Sequence, residues 1–359
     1  MLYIISRFFA WSSGVLIEDV CMKFRITQAI FLLLMLILSG CAEGKKQMVV
    51  PASTIPVDYQ AQKAEMLRIL AEDFPELKPN ELEVIDSIPR MFFVKSEARH
   101  RAYLIKTATQ NSGSSKQYIH TYYALPIGSG QSTLRLSDIA FLLTALKVRP
   151  TDHIFEVGTG TGYLTAILGR ISGQVYSMDI IEQLVESAWQ NMDRMNLSKE
   201  QVRICRGNGL LLRNELSPDA TPAEIEAAAK SDLFSVADDM RTRMDAAILT
   251  ENRAVESQVA DEIASERLLL QRKACIHDGR NGMVGYAPYN ILLITTPVKG
   301  EIPRDLLHLM ARENARVAAP VTDVNGNTDW IVYNYHYVDN SLEEIARQPV
   351  SANVVRPAK

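Results

Sequence analysis

One stretch, HIFEVGTGTGYLTAIL at 153–168, constrains the fold more than any other part of the chain. An apolar run leads into a turn that holds Gly158, Gly160 and Gly162, and a second apolar run leaves it. Glycine is required where a chain turns sharply or where a ligand presses on backbone. A strand, such a turn and a helix together gather backbone N–H groups at the helix N-terminus. Downstream, QVYSMDI predicts a second strand ending in Asp179, and EQLVESAWQNMDRM predicts a second helix with Leu184, Ala188 and Met192 at helical spacing. QVRICRG predicts a third strand. This alternation is the signature of an α/β fold with a doubly wound, mostly parallel sheet.

Three details bear on the ligand of the turn. Glu156 stands two residues before Gly158, at the strand end. A pyrophosphate does not favour a carboxylate there, whereas a ligand with an ammonium and a sulfonium does. The turn reads G-T-G-T-G, not the dinucleotide spacing G-x-G-x-x-G. Asp179 follows at the end of the next strand, where an acid accepts hydrogen bonds from both ribose hydroxyls. Together they favour S-adenosyl-L-methionine over NAD. The bland alternatives are a merely structural glycine turn, an N-capping Asp179 and a surface Glu156.

Upstream, residues 60–70 suggest a helix, and NELEVIDSIPRMFFV at 80–94 suggests a helix that Pro89 stops or kinks. TQNSGSSKQ at 109–117 is a loop by composition. Residues 137–147 read as a helix with Ile139, Leu142, Leu143 and Leu146 on one face. After the third strand the alternation breaks. Residues 210–281 form a charged helical block, with a capping box at Thr221–Glu224 and one apolar stripe of Val255, Val259 and Ile263. Packing against the core is its default. NILLITT resumes the sheet, IPRDLLHLMA reads as a helix, and RVAAPV and DWIVYNYHYV read as closing strands, the last antiparallel.

The first residues differ in character. Lys23 and Arg25 precede AIFLLLMLILSGC, an apolar run of signal-peptide length and too short to span a bilayer comfortably. Its end, Leu38-Ser39-Gly40-Cys41, resembles the lipobox of bacterial lipoproteins. That resemblance implies lipidation of Cys41, a true start at Met22 and, with Ala42 after the cysteine, an outer-membrane location facing the periplasm. If the leader is not used, the location is cytoplasmic. Cys205 and Cys275 are the two cysteines of the body; export permits them to pair, and the sequence does not place them side by side. No Cys/His metal spacing occurs, and the net charge of −4 implies no nucleic-acid partner.

LPIGSGQ at 125–131 and RPTDHIFEVGTGTGYLTAIL at 149–168 together resemble the protein-L-isoaspartate (D-aspartate) O-methyltransferase family. IPRMFFV at 88–94 and APYNILLITTPVKGEIPRDLL at 287–307 match further motifs of that family in order. The resemblance implies a class I methyltransferase (Rossmann-like) fold, S-adenosyl-L-methionine as cofactor, and isoaspartyl residues of damaged proteins as substrate. It implies that Glu156, Gly158, Thr159, Gly160 and Gly162 hold the cofactor's methionine end, Asp179 its ribose and Asn208 its adenine amino group. Asn208 replaces an Asp there, and its carbonyl can still accept that bond. The implied organisation is a leader 1–41, a tether 42–58, a helical region with the substrate-side loop at 59–148, a methyltransferase domain at 149–339 interrupted by insertion 210–281, and a tail 340–359.

One departure touches the substrate. Without a gap, Leu134 occupies the place of a family Ser beside the substrate carboxylate. Ser132 or Thr133 can take over if the loop shifts, or Arg135 can clamp a carboxylate directly. A carboxylate is already ionised at neutral pH, so attack on a sulfonium methyl needs no general base, and positioning supplies most of the rate. Three functions remain open at this level: isoaspartyl methyl transfer, a degenerate cofactor-binding envelope lipoprotein with little or no activity, and methyl transfer to another carboxylate.

Overall fold

The chain builds its central sheet from short apolar runs buried on both faces, as parallel strands require. The computed structural model describes residues 57–112, 115–273, 275, 279–350 and 353–357. The leader, Cys41 and nearly all of the tether lie outside these residues.

Helices α1 (Val57–Asp73) and α2 (Pro79–Ser87) come first, followed by 3-10 turns at Arg90–Phe93 and Ser96–Arg101. Pro79 opens α2, and the Glu81 carboxylate accepts the Lys78 N–H at 2.9 Å, which fixes its first turn. The expected helix at 80–94 therefore stops at Ser87, before Pro89, and resumes only as a 3-10 turn. Strands β1 (Ile105–Ser112) and β2 (Ser115–Tyr122) pair antiparallel from Ile105↔Tyr122 onward. This corrects the loop expected at 109–117: cross-strand pairing overrides a composition that reads as turn. Short strands β3 (Pro126–Gly128) and β4 (Gln131–Ser132) precede helix α3 (Leu136–Leu146).

Strand β5 (Ile154–Val157), helix α4 (Tyr163–Ile171), strand β6 (Val175–Asp179), helix α5 (Glu182–Arg194) and strand β7 (Val202–Arg206) follow as the sequence predicts. The block after β7 contains α6 (Pro222–Lys230), α7 (Leu233–Leu249), α8 (Arg253–Arg272) and α9 (Arg280–Gly285). Then come β8 (Ile291–Ile294), β9 (Val298–Lys299), a 3-10 turn at Arg304–Leu309 in place of the expected helix, β10 (Arg316–Thr322) and β11 (Thr328–His336). The chain continues as β12 (Ser341–Pro349) and β13 (Val354–Pro357).

The main sheet has the order β12-β11-β10-β8-β5-β6-β7, with β9 beside β10. Strands β7, β6, β5, β8 and β10 run parallel, and β11 is antiparallel as expected. It is not the last strand, however. The tail at 340–359 supplies β12, which pairs with β11, and β13, which pairs with β2.

Side chains alternate between two cores. Ile154, Val175, Ile291 and Leu293 face one, with α1 to α5; Phe155, Tyr176, Leu292 and Ile294 face the other. The inserted helices cover that second face through Leu233, Ala237, Met240, Ile263, Met283 and Val284. Of the expected stripe only Ile263 is buried; Val259 is half-buried and Val255 is 36% exposed. A disulfide joins Cys205, in β7, to Cys275 behind α8. Among the described residues, no helix is long and apolar enough to cross a membrane.

Candidate active site

Strand order reverses at β5: β6 and β7 lie on one side and β8 on the other. Ligands of doubly wound sheets bind at that switch point, beyond the carboxyl ends of the strands. A cavity of about 400 Å³ opens there, lined by the Gly158–Thr161 turn and by residues following β6, β7 and β8.

The turn is held from both sides. Gly158 and Thr159 donate their N–H groups to the Met178 carbonyl at 2.7 and 3.3 Å. Gly158 has φ +99°, and a Cβ there would lie 2.1 Å from Thr295 Oγ1. Thr295 uses that hydroxyl to donate to the carbonyls of Val157 and Gly158, so β8 clamps the turn. Gly162 has φ +87° and begins α4 where a Cβ would press Met192 of α5.

Glu156 is fully buried, so it is not a surface charge. Its Oε2 accepts from Thr165 at 2.5 Å and from Ser177 at 2.7 Å. Its Oε1 has no hydrogen-bond partner, and the residue lines the cavity. Burial raises its pKa from 4.5 to about 7, against the opposing pull of the two hydroxyls. Asp179 lines the cavity beside it. Its Oδ2 accepts the Gly160 N–H at 2.8 Å and its Oδ1 the Ile181 N–H at 2.9 Å, so it both braces the turn and caps the entry to α5. Burial raises its pKa, partly offset by those two bonds. Each carboxylate oxygen retains a further lone pair for ligand hydroxyls. Asn208 also lines the cavity, with its Oδ1 accepting the Leu210 N–H at 3.0 Å.

Gln131, Ser132, Thr133 and Leu134 also line the cavity. Ser132 is exposed at the rim and Leu134 is half-buried against the core. The Thr133 hydroxyl oxygen accepts from Arg90 Nη2 at 2.9 Å and from the Leu125 N–H at 3.1 Å, which leaves its O–H proton as a donor. Arg135 is not among the cavity-lining residues; it stands at the N-cap of α3, where its N–H meets Asp138 Oδ2 at 3.4 Å.

Several site residues carried no earlier role. Thr295, Thr296 and Pro297 follow β8, and the switch-point rule alone would have pointed to them. Ile180, Ile181 and Leu184 add apolar wall. Ser177 and Thr165 hold Glu156, and no spacing signal marks them. Among the described residues, no group of three or more His, Cys, Asp or Glu is placed to hold a metal ion.

Sheet order, glycine turn and paired acids define a class I methyltransferase fold. Residues 61–229 match the family model described as protein-L-isoaspartate(D-aspartate) O-methyltransferase. Protein-L-isoaspartate O-methyltransferase 2 of Syntrophobacter fumaroxidans is 33% identical over 186 residues, 49% of this chain and 65% of the relative. Protein-L-isoaspartate O-methyltransferase of a Synechococcus strain is 31% identical over 131 residues, 36% of this chain and 46% of the relative. The chain spans less than two thirds of the length of either. A solved structure titled as a putative protein-L-isoaspartate O-methyltransferase of Plasmodium falciparum, in complex with S-adenosyl-L-homocysteine, aligns with a TM-score of 0.46 at 12% identity, over 80% of this chain and 96% of that one.

Proposed function

We propose that this chain transfers a methyl group from S-adenosyl-L-methionine to the carboxylate of L-isoaspartyl (D-aspartyl) residues in damaged proteins, a repair activity. The observation that carries it is the partnerless Oε1 of Glu156, set beneath a glycine cradle inside the stretch that matches the isoaspartyl methyltransferase family model.

The residues fit the cofactor. Glu156 offers a buried anionic oxygen to an ammonium group, Asp179 offers acceptors to a ribose, and the positive-φ glycines let backbone approach closely. Asn208 stands at the end of β7 for the adenine side. When bound, the donor supplies a sulfonium methyl whose carbon takes an electron pair from the substrate carboxylate oxygen as the methyl–sulfur bond breaks, leaving a neutral thioether. The protein need not move a proton, because the attacking carboxylate is ionised at neutral pH. Its task is to orient and to exclude water. Leu134 and Ile127 form apolar wall, and the hydroxyls of Ser132 and Thr133 are available donors to a substrate carboxylate.

The test is incubation of the purified chain with methyl-labelled donor and an isoaspartyl peptide. Methanol-releasable label above an aspartyl-peptide control is the expected result, and its absence sinks the reading.

We further propose that Cys41 is lipidated and that the protein is anchored in the bacterial envelope. The Cys205–Cys275 disulfide supports an oxidising compartment.

A further inference from the structure

Arg90 sits in the 3-10 turn at 90–93, outside the cavity wall, and only 1% of it is exposed. Its Nη1 donates to the Ala102 carbonyl at 3.2 Å. Its Nη2 donates to the Tyr123 carbonyl at 2.8 Å, to Thr133 Oγ1 at 2.9 Å and to the Leu134 carbonyl at 2.9 Å. All four acceptors are neutral oxygens. A buried guanidinium normally meets a carboxylate, and burying one without such a partner is costly. Burial lowers its pKa to about 10, so it stays charged at neutral pH. What this arrangement gains is convergence: one rigid fork gathers three separate segments, and two of its acceptors belong to residues that line the cavity.

The donor side is tied to the same turn too, but not by hydrogen bonds from Arg90. The Arg90 guanidinium lies 5.9 Å from the Tyr163 ring centroid, and the Phe93 carbonyl accepts the Thr161 hydroxyl at 2.6 Å. The Gly158–Gly162 turn takes its other bonds from Met178, Asp179, Asn191, Ser177 and Thr295.

We infer that Arg90 is a positioning residue for the substrate: through Thr133 and Leu134 it fixes the wall against which the acceptor carboxylate is aligned, without itself touching a ligand. This rests on reading the cavity as a methyltransferase site. Lys has neither the fork nor the reach to satisfy four oxygens, so Arg90→Lys separates geometry from charge.

The experiment compares full-length wild type, Arg90→Lys and Thr133→Val. It measures KM for an isoaspartyl peptide, affinity for S-adenosyl-L-homocysteine by calorimetry, and hydrogen exchange of residues 125–134. Arg90→Lys should raise the peptide KM about tenfold or more while changing S-adenosyl-L-homocysteine affinity less than about twofold. Amides at 131–134 should lose protection, and those at 154–168 should keep it. An unchanged peptide KM, or donor-site affinity falling in step with it, overturns the proposal. If Arg90→Lys does not fold, Thr133→Val deletes one acceptor and keeps the shape; it should raise the peptide KM roughly three- to tenfold, and an unchanged value overturns the proposal. If wild type shows no isoaspartyl turnover, the functional reading fails separately. Unchanged exchange at 131–134 in a folded Arg90→Lys protein then overturns the Arg90 proposal on its own.

Discussion

Ser177 donates its hydroxyl to Glu156 at 2.7 Å, so the second strand of the doubly wound unit holds the acid that ends the first. That bond and the one from Thr165 fix Oε2 and leave Oε1 for a ligand. Because burial raises the Glu156 pKa to about 7, a cationic ligand must drive off a proton when it binds below that pH. S-adenosyl-L-homocysteine affinity should therefore rise about tenfold between pH 6 and 8, and Glu156→Gln should flatten the profile. Calorimetry in buffers of different ionisation enthalpy checks this through the protons released at pH 6. The sign for stability is opposite. The folded pKa lies above the unfolded value of 4.5, so the contribution of Glu156 to stability is full below 4.5 and is lost as pH rises through about 7. Urea unfolding at pH 5 and 8 should show wild type losing stability relative to Glu156→Gln.

Gly158 and Gly173 both have positive φ, yet their surroundings differ. A Cβ at Gly158 meets Thr295 Oγ1 at 2.1 Å, whereas nothing lies within 4 Å of one at Gly173. Gly173→Ala should cost only backbone strain, on the order of 1 kcal/mol. Gly158→Ala adds displacement of the Thr295 clamp, and should cost several-fold more and abolish S-adenosyl-L-homocysteine binding. Thermal unfolding with and without S-adenosyl-L-homocysteine separates the two variants; equal shifts would contradict the clamp.

The parts legible in sequence are those where local pattern and burial agree. β5 is fully buried and α4 nearly so, both are short and mostly apolar, and both acids of the site stand near strand ends. The hairpin strands β1 and β2 were not legible, because most of β1 is polar and exposed and no alternation marks its faces. β12 is mostly exposed as well, and its place is set by pairing with β11. Arg90 was not legible for another reason. An arginine after a proline reads as surface, and its acceptors lie 12 to 44 residues away along the chain.

The Cys205–Cys275 disulfide closes a loop of 70 residues that contains α6, α7 and α8. Loop-closure entropy for that length corresponds to about 4 kcal/mol in the chain-entropy model. A Cys205→Ser, Cys275→Ser double variant should lose about 3–4 kcal/mol of unfolding free energy, read by urea denaturation. A loss near zero would show that the inserted helices hold their place on the second face without the crosslink.

Lipidation of Cys41 makes a separate prediction about place. Fractionated cells should carry the protein in the envelope, and mass spectrometry should find acylated Cys41 as the first residue. Protein found only in the soluble cytoplasmic fraction would overturn the anchor and place the enzyme in the compartment where its donor is made.

Leu134 lines the cavity and has no hydrogen-bonding side chain. The hydroxyl next to it, on Thr133, accepts from Arg90 and from the Leu125 N–H, which fixes its oxygen and leaves its O–H proton free to donate. A single neutral hydrogen bond typically contributes about 0.5–1.5 kcal/mol, a factor of roughly three to ten in rate. Leu134→Ser should raise kcat/KM for an isoaspartyl peptide by that factor, since the carbonyl of residue 134 stays bonded to Arg90 whatever side chain it carries. The gain should fall on the peptide and not on the donor, because the proposed donor contacts are at Glu156 and Asp179 and do not include residue 134. Steady-state rates at saturating donor check it. An unchanged kcat/KM would mean that the acceptor carboxylate does not pass by residue 134, and would favour a different carboxylate as the substrate.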